Sequence, residues 1–215
     1  LTTTPLALQA NLYAALENDF ACLHPTDTIP GLTFHPLKKN GLAAVQAFKL
    51  RPLGNTFISL VPDLATAQKF WHTLPDGWDL ALSVLWPGPL SVIWQAAETA
   101  PPVLVSQAGT MAMRVPAWPP EKKWMAAFLT QFKLPLPSTS VNVSGEPAAQ
   151  TWQAAKSKVA GAHGLFVPDF SPLENTTAPH SASTIIEILA AGSFAVRREG
   201  AMSKHVIEQA LGQNK

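Results

Sequence analysis

Short apolar runs of strand-like composition recur along this chain among helical stripes in no fixed order, and that pattern limits the possible folds. Phe20–Leu23, Thr56–Val61, Leu90–Trp94, Thr110–Val115, Leu165–Val167 and Thr184–Leu189 are apolar or β-branched and read as buried strands. Helical spacing marks Leu6–Asn18, where Leu8, Leu12, Ala15 and Leu16 form a stripe, and Leu37–Phe48, with Leu42, Val45 and Phe48 on one face. Leu64–Trp71, Leu80–Leu85, Trp124–Phe132, Thr151–Val159 and His205–Leu211 read as further helices. A regular parallel α/β fold needs strict alternation, which is missing. The expectation is therefore an α/β domain built on one twisted sheet of mixed parallel and antiparallel strands, with helices flanking it. The Pro-rich stretches (Pro101-Pro102, 116–120 and 135–137) are too short to be linkers. One domain over residues 6–211 follows.

Composition narrows the function classes. Of 215 residues 47% are hydrophobic and only 13% charged, well below the roughly 25% charged in ordinary soluble domains. Such a chain buries a large core or shows apolar surface to a partner. Fifteen basic residues against 14 acidic leave a net charge of +1, so nucleic-acid binding would need a local cluster of charge. Cys22 is the single cysteine, which excludes an internal disulfide and a multi-cysteine zinc site. In an apolar strand it reads as an inert core thiol. The six histidines show no metal-ligand spacing, and neither a P-loop nor a Gly-x-Ser-x-Gly element is present. The most apolar stretch, Leu80–Trp94, is broken by Pro87-Gly88-Pro89 and falls short of a membrane span. No basic segment leads into an apolar one at the start of the chain, so a cytoplasmic protein is expected.

Polar groups gather where the apolar runs end. Pro25-Thr26-Asp27-Thr28-Ile29-Pro30-Gly31-Leu32 stops the first strand and presents hydroxyls and a carboxylate. It reads either as an ordinary turn or as a ligand-binding strand end. His24, just before it, reads as structural. Lys49 and Arg51 close a helix whose other face is apolar. They are either a solvated helix end that complements the dipole or two cations turned into a cleft toward phosphate or carboxylate oxygens. Arg114 stands between Met113 and Val115, where an arginine is either buried at a cost or reaches out at a sheet edge. Thr110 shares its face, and a hydroxyl with a guanidinium suits a small carboxylate. Ser138, Ser140, Asn142 and Ser144 recur at every second residue, opposite Val141 and Val143, and Ser140–Val143 reads as a short strand.

In order and spacing, these segments resemble the YrdC-like family, the threonylcarbamoyl-AMP synthases of tRNA modification. The likeness rests on Pro25–Leu32, Lys49-Leu50-Arg51-Pro52, Leu85-Trp86-Pro87-Gly88-Pro89-Leu90 and Met113-Arg114-Val115-Pro116. It continues through Ser138–Gly145, Ser183-Thr184-Ile185-Ile186 and Arg198-Glu199-Gly200, and so runs from about Leu12 to Ala201. The resemblance implies a concave central cavity and a nucleotidyltransferase, an L-threonylcarbamoyladenylate synthase. Such an enzyme joins L-threonine, bicarbonate or CO2, and ATP with Mg2+, and releases pyrophosphate. It implies Lys49 and Arg51 as catalytic cations. Thr28, Thr110, Arg114 and Ser183 would hold the amino acid, and Ser138, Ser140, Asn142 and Arg198 the nucleotide, with no resident metal. A downstream transferase would pass the threonylcarbamoyl group to tRNA. Relatives of this fold leave two alternatives, a non-catalytic binder of double-stranded RNA or tRNA and an enzyme adenylating another carbamoyl compound. The chain departs from the family pattern at Pro30, where an aromatic residue is usual, and at Leu60, where some members carry histidine. Val141 and Ala182 stand where alanine and proline are common.

Overall fold

A computed structural model describes residues 4–50, 57–168, 181–190 and 192–212. Among them nine strands form one sheet in the order β7-β1-β2-β6-β3-β5-β4-β8-β9. In chain order these are β1 (Ala21–His24), β2 (Gly31–Thr33), β3 (Ile58–Leu60), β4 (Leu90–Gln95), β5 (Thr110–Arg114), β6 (Leu136–Ser140), β7 (Leu165–Phe166), β8 (Thr184–Ile188) and β9 (Phe194–Arg198). The pairs β1·β7, β3·β5 and β4·β8 are parallel and the others antiparallel, so the sheet is mixed, as the irregular order of elements predicts.

The helices are α1 (Pro5–Glu17), α2 (Asn40–Lys49), α3 (Leu64–Ala67), α4 (Trp78–Leu85), α5 (Trp124–Phe132), α6 (Trp152–Val159) and α7 (Lys204–Gly212). Side-chain caps start three of them: Thr4 on α1, Asp63 on α3 and Thr151 on α6 each accept from the backbone N–H three residues on. Each such cap is worth about 1 kcal/mol. α1 packs on α5 and β1, and α4 packs on α7. The apolar stripe of α1 is the face it buries, with Leu8, Leu12, Ala15 and Leu16 all inside. Cys22 is fully buried, and burial pushes its thiol pKa up, which keeps it protonated and unreactive.

Four local expectations change. The strand expected at Ser140–Val143 lies earlier, at Leu136–Ser140, because Pro137 sits opposite Ser59 in the β3 ladder and the chain bends only after Ser140. Helix α3 stops at Ala67 rather than Trp71, since Trp71 leaves it to bridge Ala96. β2 and β9 had no strand signal in the sequence. Gly31–Thr33 extends because β1 and β6 flank it on both sides. Phe194–Arg198 extends as the antiparallel partner of β8.

Candidate active site

The register places the candidate residues. Leu60 on β3 lies beside Arg114 on β5, and Ile58 lies beside Ser138 on β6, so these side chains share one face of the central strands. On that face opens a cavity of about 330 Å³. Thr28, Lys49, Arg114, Ser138, Ser140 and Asn142 line it, together with Ser183 and Arg198. Residues from Thr28 to Arg198 thus meet in one place. Arg51 lies outside the described residues. Thr110 does not reach the cavity: four residues from Arg114 is ~13 Å along a strand. Its hydroxyl pairs with Ser106 Oγ at 2.8 Å at the far end of β5.

Lys49 ends α2, and the backbone turns sharply after it through a left-handed Leu50 at φ 48°. Helix phase points the lysine inward, on the buried face of α2 with Gly41 and Val45, so it is no solvated helix end: it is 3% exposed. Its Nζ donates to Ser140 O at 2.7 Å, Asn142 O at 3.1 Å and Asn142 Oδ1 at 3.2 Å. Its own carbonyl accepts from Ser144 N–H at 3.0 Å. Asn142 is fixed in turn, donating from Nδ2 to Val143 O and Glu146 O. Because Asn142 Oδ1 can only accept, Ser140 Oγ donates to it, at 2.6 Å. Asn142 and Ser144 sit in the turn after β6 rather than on a continuing strand.

Arg114 is buried at 4% exposure. The burial is compensated by a partner that spacing did not reveal, since Asp27, 6% exposed at its side chain, forms an ion pair with Arg114 Nη2. Asp27 Oδ2 also accepts from Ala117 N–H at 2.8 Å. Arg114 further donates from Nε to Gly88 O at 3.1 Å and from Nη1 to Thr28 Oγ1 at 3.0 Å. The rigid Trp-Pro-Gly-Pro corner therefore serves as an acceptor for the arginine. Desolvation lowers the Arg114 pKa and Asp27 raises it; a guanidinium stays charged regardless. These bonds occupy three of its five N–H groups, which leaves one on each terminal nitrogen for a ligand.

The polarity of the hydroxyls follows from their neighbours. Thr26 Oγ1 must donate to Ile29 O at 2.7 Å, so the 3.1 Å contact between Thr26 and Thr28 is a donation from Thr28. Lys122 Nζ, buried behind the loop, holds Thr26 O at 3.0 Å. On the opposite wall a register shift between Ile185 and Ile186 separates two adjacent arginines. Arg197 turns to Glu187, while Arg198 turns to Ser183, donating from Nη2 to its carbonyl at 2.7 Å. Burial and the nearby Arg114 charge both lower the Arg198 pKa. A Cβ at Gly200 would lie 2.2 Å from Ala182 O, so only glycine lets the chain pass close enough to hold Arg198 there. Pro30 and Leu60, two departures from the family pattern, both lie in the lining and make that part of it apolar.

Lys49, Arg114 and Arg198 give this cavity three cations, and no carboxylate is among its described lining residues. Two guanidinium donors beside the buried charge of Lys49 suit anionic oxygens, whether carboxylate or phosphate. No group of three or more His, Cys, Asp or Glu side chains placed to hold a metal ion occurs among the described residues. No described helix is long and apolar enough to cross a membrane.

His24 is fully buried beside the cavity, with Nδ1 3.0 Å from Pro25 O and Nε2 3.0 Å from Ser138 Oγ. Burial lowers its pKa from 6.5 to about 4, against a smaller upward pull from the Pro25 carbonyl. The unfolded chain therefore takes up a proton first as pH falls, so this histidine adds stability above about pH 6.5 that is lost toward pH 4. The loss is expected to be about 3 kcal/mol. Urea unfolding at pH 7 and pH 4.5, for the protein and for His24→Gln, measures it. An equally steep pH dependence in both would refute the assignment.

The family model described as Telomere recombination, for Sua5, YciO and YrdC proteins, matches residues 14–200. The chain belongs to this family. It is 28% identical over 155 residues to the threonylcarbamoyl-AMP synthase of Sodalis glossinidius, covering 71% of this chain and 80% of that one. Pyrococcus abyssi Sua5 complexed with L-threonine superimposes with a TM-score of 0.80 at 21% identity, over 97% of this chain and 58% of that one. Escherichia coli YciO superimposes with a TM-score of 0.78 at 18% identity, over 95% and 94%. The chain thus spans less than two thirds of the Pyrococcus protein and nearly all of the Escherichia one.

Proposed function

We propose that this chain makes L-threonylcarbamoyl-AMP from L-threonine, bicarbonate or CO2, and ATP, as a nucleotidyltransferase serving tRNA modification. The observation that carries the reading is the cavity itself. It combines a buried, hydroxyl-backed arginine sized for a carboxylate with a lysine and a second arginine on the facing walls. In the reaction the threonine amine adds to CO2, loses a proton and becomes a carbamate. A carbamate oxygen then attacks the α-phosphorus of ATP, and the bond to pyrophosphate breaks.

Nucleophile and phosphates are both anionic, so the main work is positioning and neutralisation. Arg114 holds the threonine carboxylate through its two remaining N–H groups, beside Thr28. Lys49, with Arg51 from the family motif, offsets the repulsion at the phosphates. Ser140, Asn142 and Arg198 hold the nucleotide, and Mg2+ arrives on its phosphates as part of the substrate. A threonylcarbamoyl transferase consumes the product, and the cytoplasm is the setting.

ATP–pyrophosphate exchange tests this directly. Exchange is expected with threonine and bicarbonate together and is expected to vanish when either is omitted. Folded protein that binds ATP yet shows no threonine-dependent exchange would end the proposal.

A further inference from the structure

His24, Gly31 and Ser140 lie in one lateral row across β1, β2 and β6. The imidazole crosses the middle strand above Gly31 to reach Ser138 on the third. A Cβ at position 31 would sit 2.7 Å from His24 Nε2 and 2.8 Å from Ser138 Oγ, so glycine keeps this crossing open. A side chain spanning a whole strand to meet one hydroxyl in the cavity wall calls for a reason beyond filling space.

The hydrogen-bond chemistry supplies one. Pro25 O can only accept, so the proton of the ring is on Nδ1. The ring is neutral, since burial lowers its pKa to about 4, and Nε2 therefore carries a lone pair. Ser138 Oγ must donate to it, and only oxygen lone pairs remain to face the cavity. We infer that His24 is a positioning residue that fixes Ser138 Oγ as an obligate hydrogen-bond acceptor, making this point of a cation-lined cavity select an N–H or O–H of the ligand. An anionic oxygen is turned away there and taken by Arg114 or Arg198 instead.

Resting on the proposed reaction, the donor is the nitrogen of the amino acid, as amine or as carbamate N–H, or else a hydroxyl or amino group of the nucleoside. The arrangement then sorts the ends of a small zwitterion: carboxylate toward Arg114, nitrogen toward Ser138. The hydrogen bond is set before any ligand arrives, so no hydroxyl reorientation is needed on binding.

Two measurements test this. In 15N-labelled protein, long-range 1H–15N correlation is expected to show His24 as the neutral ring protonated at Nδ1 from pH 8 to pH 5.5. A ring protonated at Nε2 would reverse the Ser138 hydrogen bond and overturn the inference, whatever the activity. Calorimetry with threonine and, separately, with AMP then compares His24→Phe, His24→Gln and Ser138→Ala. His24→Phe and Ser138→Ala are each expected to weaken one of the two ligands about tenfold, as the loss of one hydrogen bond implies. His24→Gln, whose amide oxygen can accept at the place of Nε2, is expected to stay within about twofold of the parent. The ligand affected identifies the donor. Phenylalanine and glutamine variants that behave alike would also overturn the inference. Failure of the proposed reaction looks different: the ring tautomer and the AMP titration stay readable when threonine-dependent exchange is absent.

Discussion

Arg114→Ala is expected to cost the fold about 3–5 kcal/mol, the usual penalty for stranding one partner of a buried ion pair. It is also expected to weaken threonine by roughly one to two powers of ten, the worth of a lost charge-assisted carboxylate contact. The two effects have different origins. The stability loss comes from Asp27, which is 6% exposed at its side chain and among the described residues is left with the Ala117 N–H and the more distant Lys122 charge once the guanidinium is gone. The affinity loss comes from the two N–H groups that the arginine leaves for a ligand. Asp27→Asn in the same chain removes the stranded charge and is expected to restore much of the stability but none of the affinity. Urea unfolding and threonine calorimetry on the single and double variants separate these effects. Unchanged threonine affinity in the folded double variant would remove Arg114 from the site.

Lys49→Met is expected to slow ATP–pyrophosphate exchange by about 10²–10³, the range found when one preorganised electrostatic group at developing charge is removed. Here that group is the charge of an ammonium whose three N–H groups are held by protein oxygens. Methionine keeps much of the lysine's length and fills its channel, so packing changes little. The variant does lose the contacts of Nζ to Ser140 O, Asn142 O and Asn142 Oδ1. Those contacts hold the turn that carries Asn142, so nucleotide affinity is expected to fall as well. Lys49→Arg is not expected to rescue the rate, because a planar fork cannot reproduce a point charge among three converging acceptors. Exchange within tenfold of the parent in folded Lys49→Met would place the lysine outside the reaction.

How far the site could be read in advance differs from residue to residue. Trp124–Phe132 is helical over the span its apolar spacing predicts, because an amphipathic period is a local property. Arg114 stood out as a charge on an apolar strand, and Lys49 as a cation at a helix end. Neither position revealed its partners. Asp27 lies 87 residues from Arg114, and Ser140 lies 91 residues from Lys49. Pairing at that separation is decided by strand register, which a single sequence does not display. Thr110 illustrates the limit, since sharing a face with Arg114 is a matter of period two, whereas sharing a cavity depends on distance along the strand.

By itself, then, the sequence determined the kinds of element, the mixed sheet, and the residue types able to meet anionic oxygens, because these follow from spacing and side-chain chemistry. Tertiary structure decided three further things. It placed β2 and β9 in the sheet, since strands of weak local preference form only when neighbours complete their hydrogen bonds. It buried the α2 face that carries Gly41, Val45 and Lys49, and so set the lysine against the carbonyls of Ser140 and Asn142. It also set the direction of each hydroxyl hydrogen bond around Thr28, Ser138 and Ser140, because a hydroxyl donates toward whichever neighbour can only accept, and folding alone selects that neighbour.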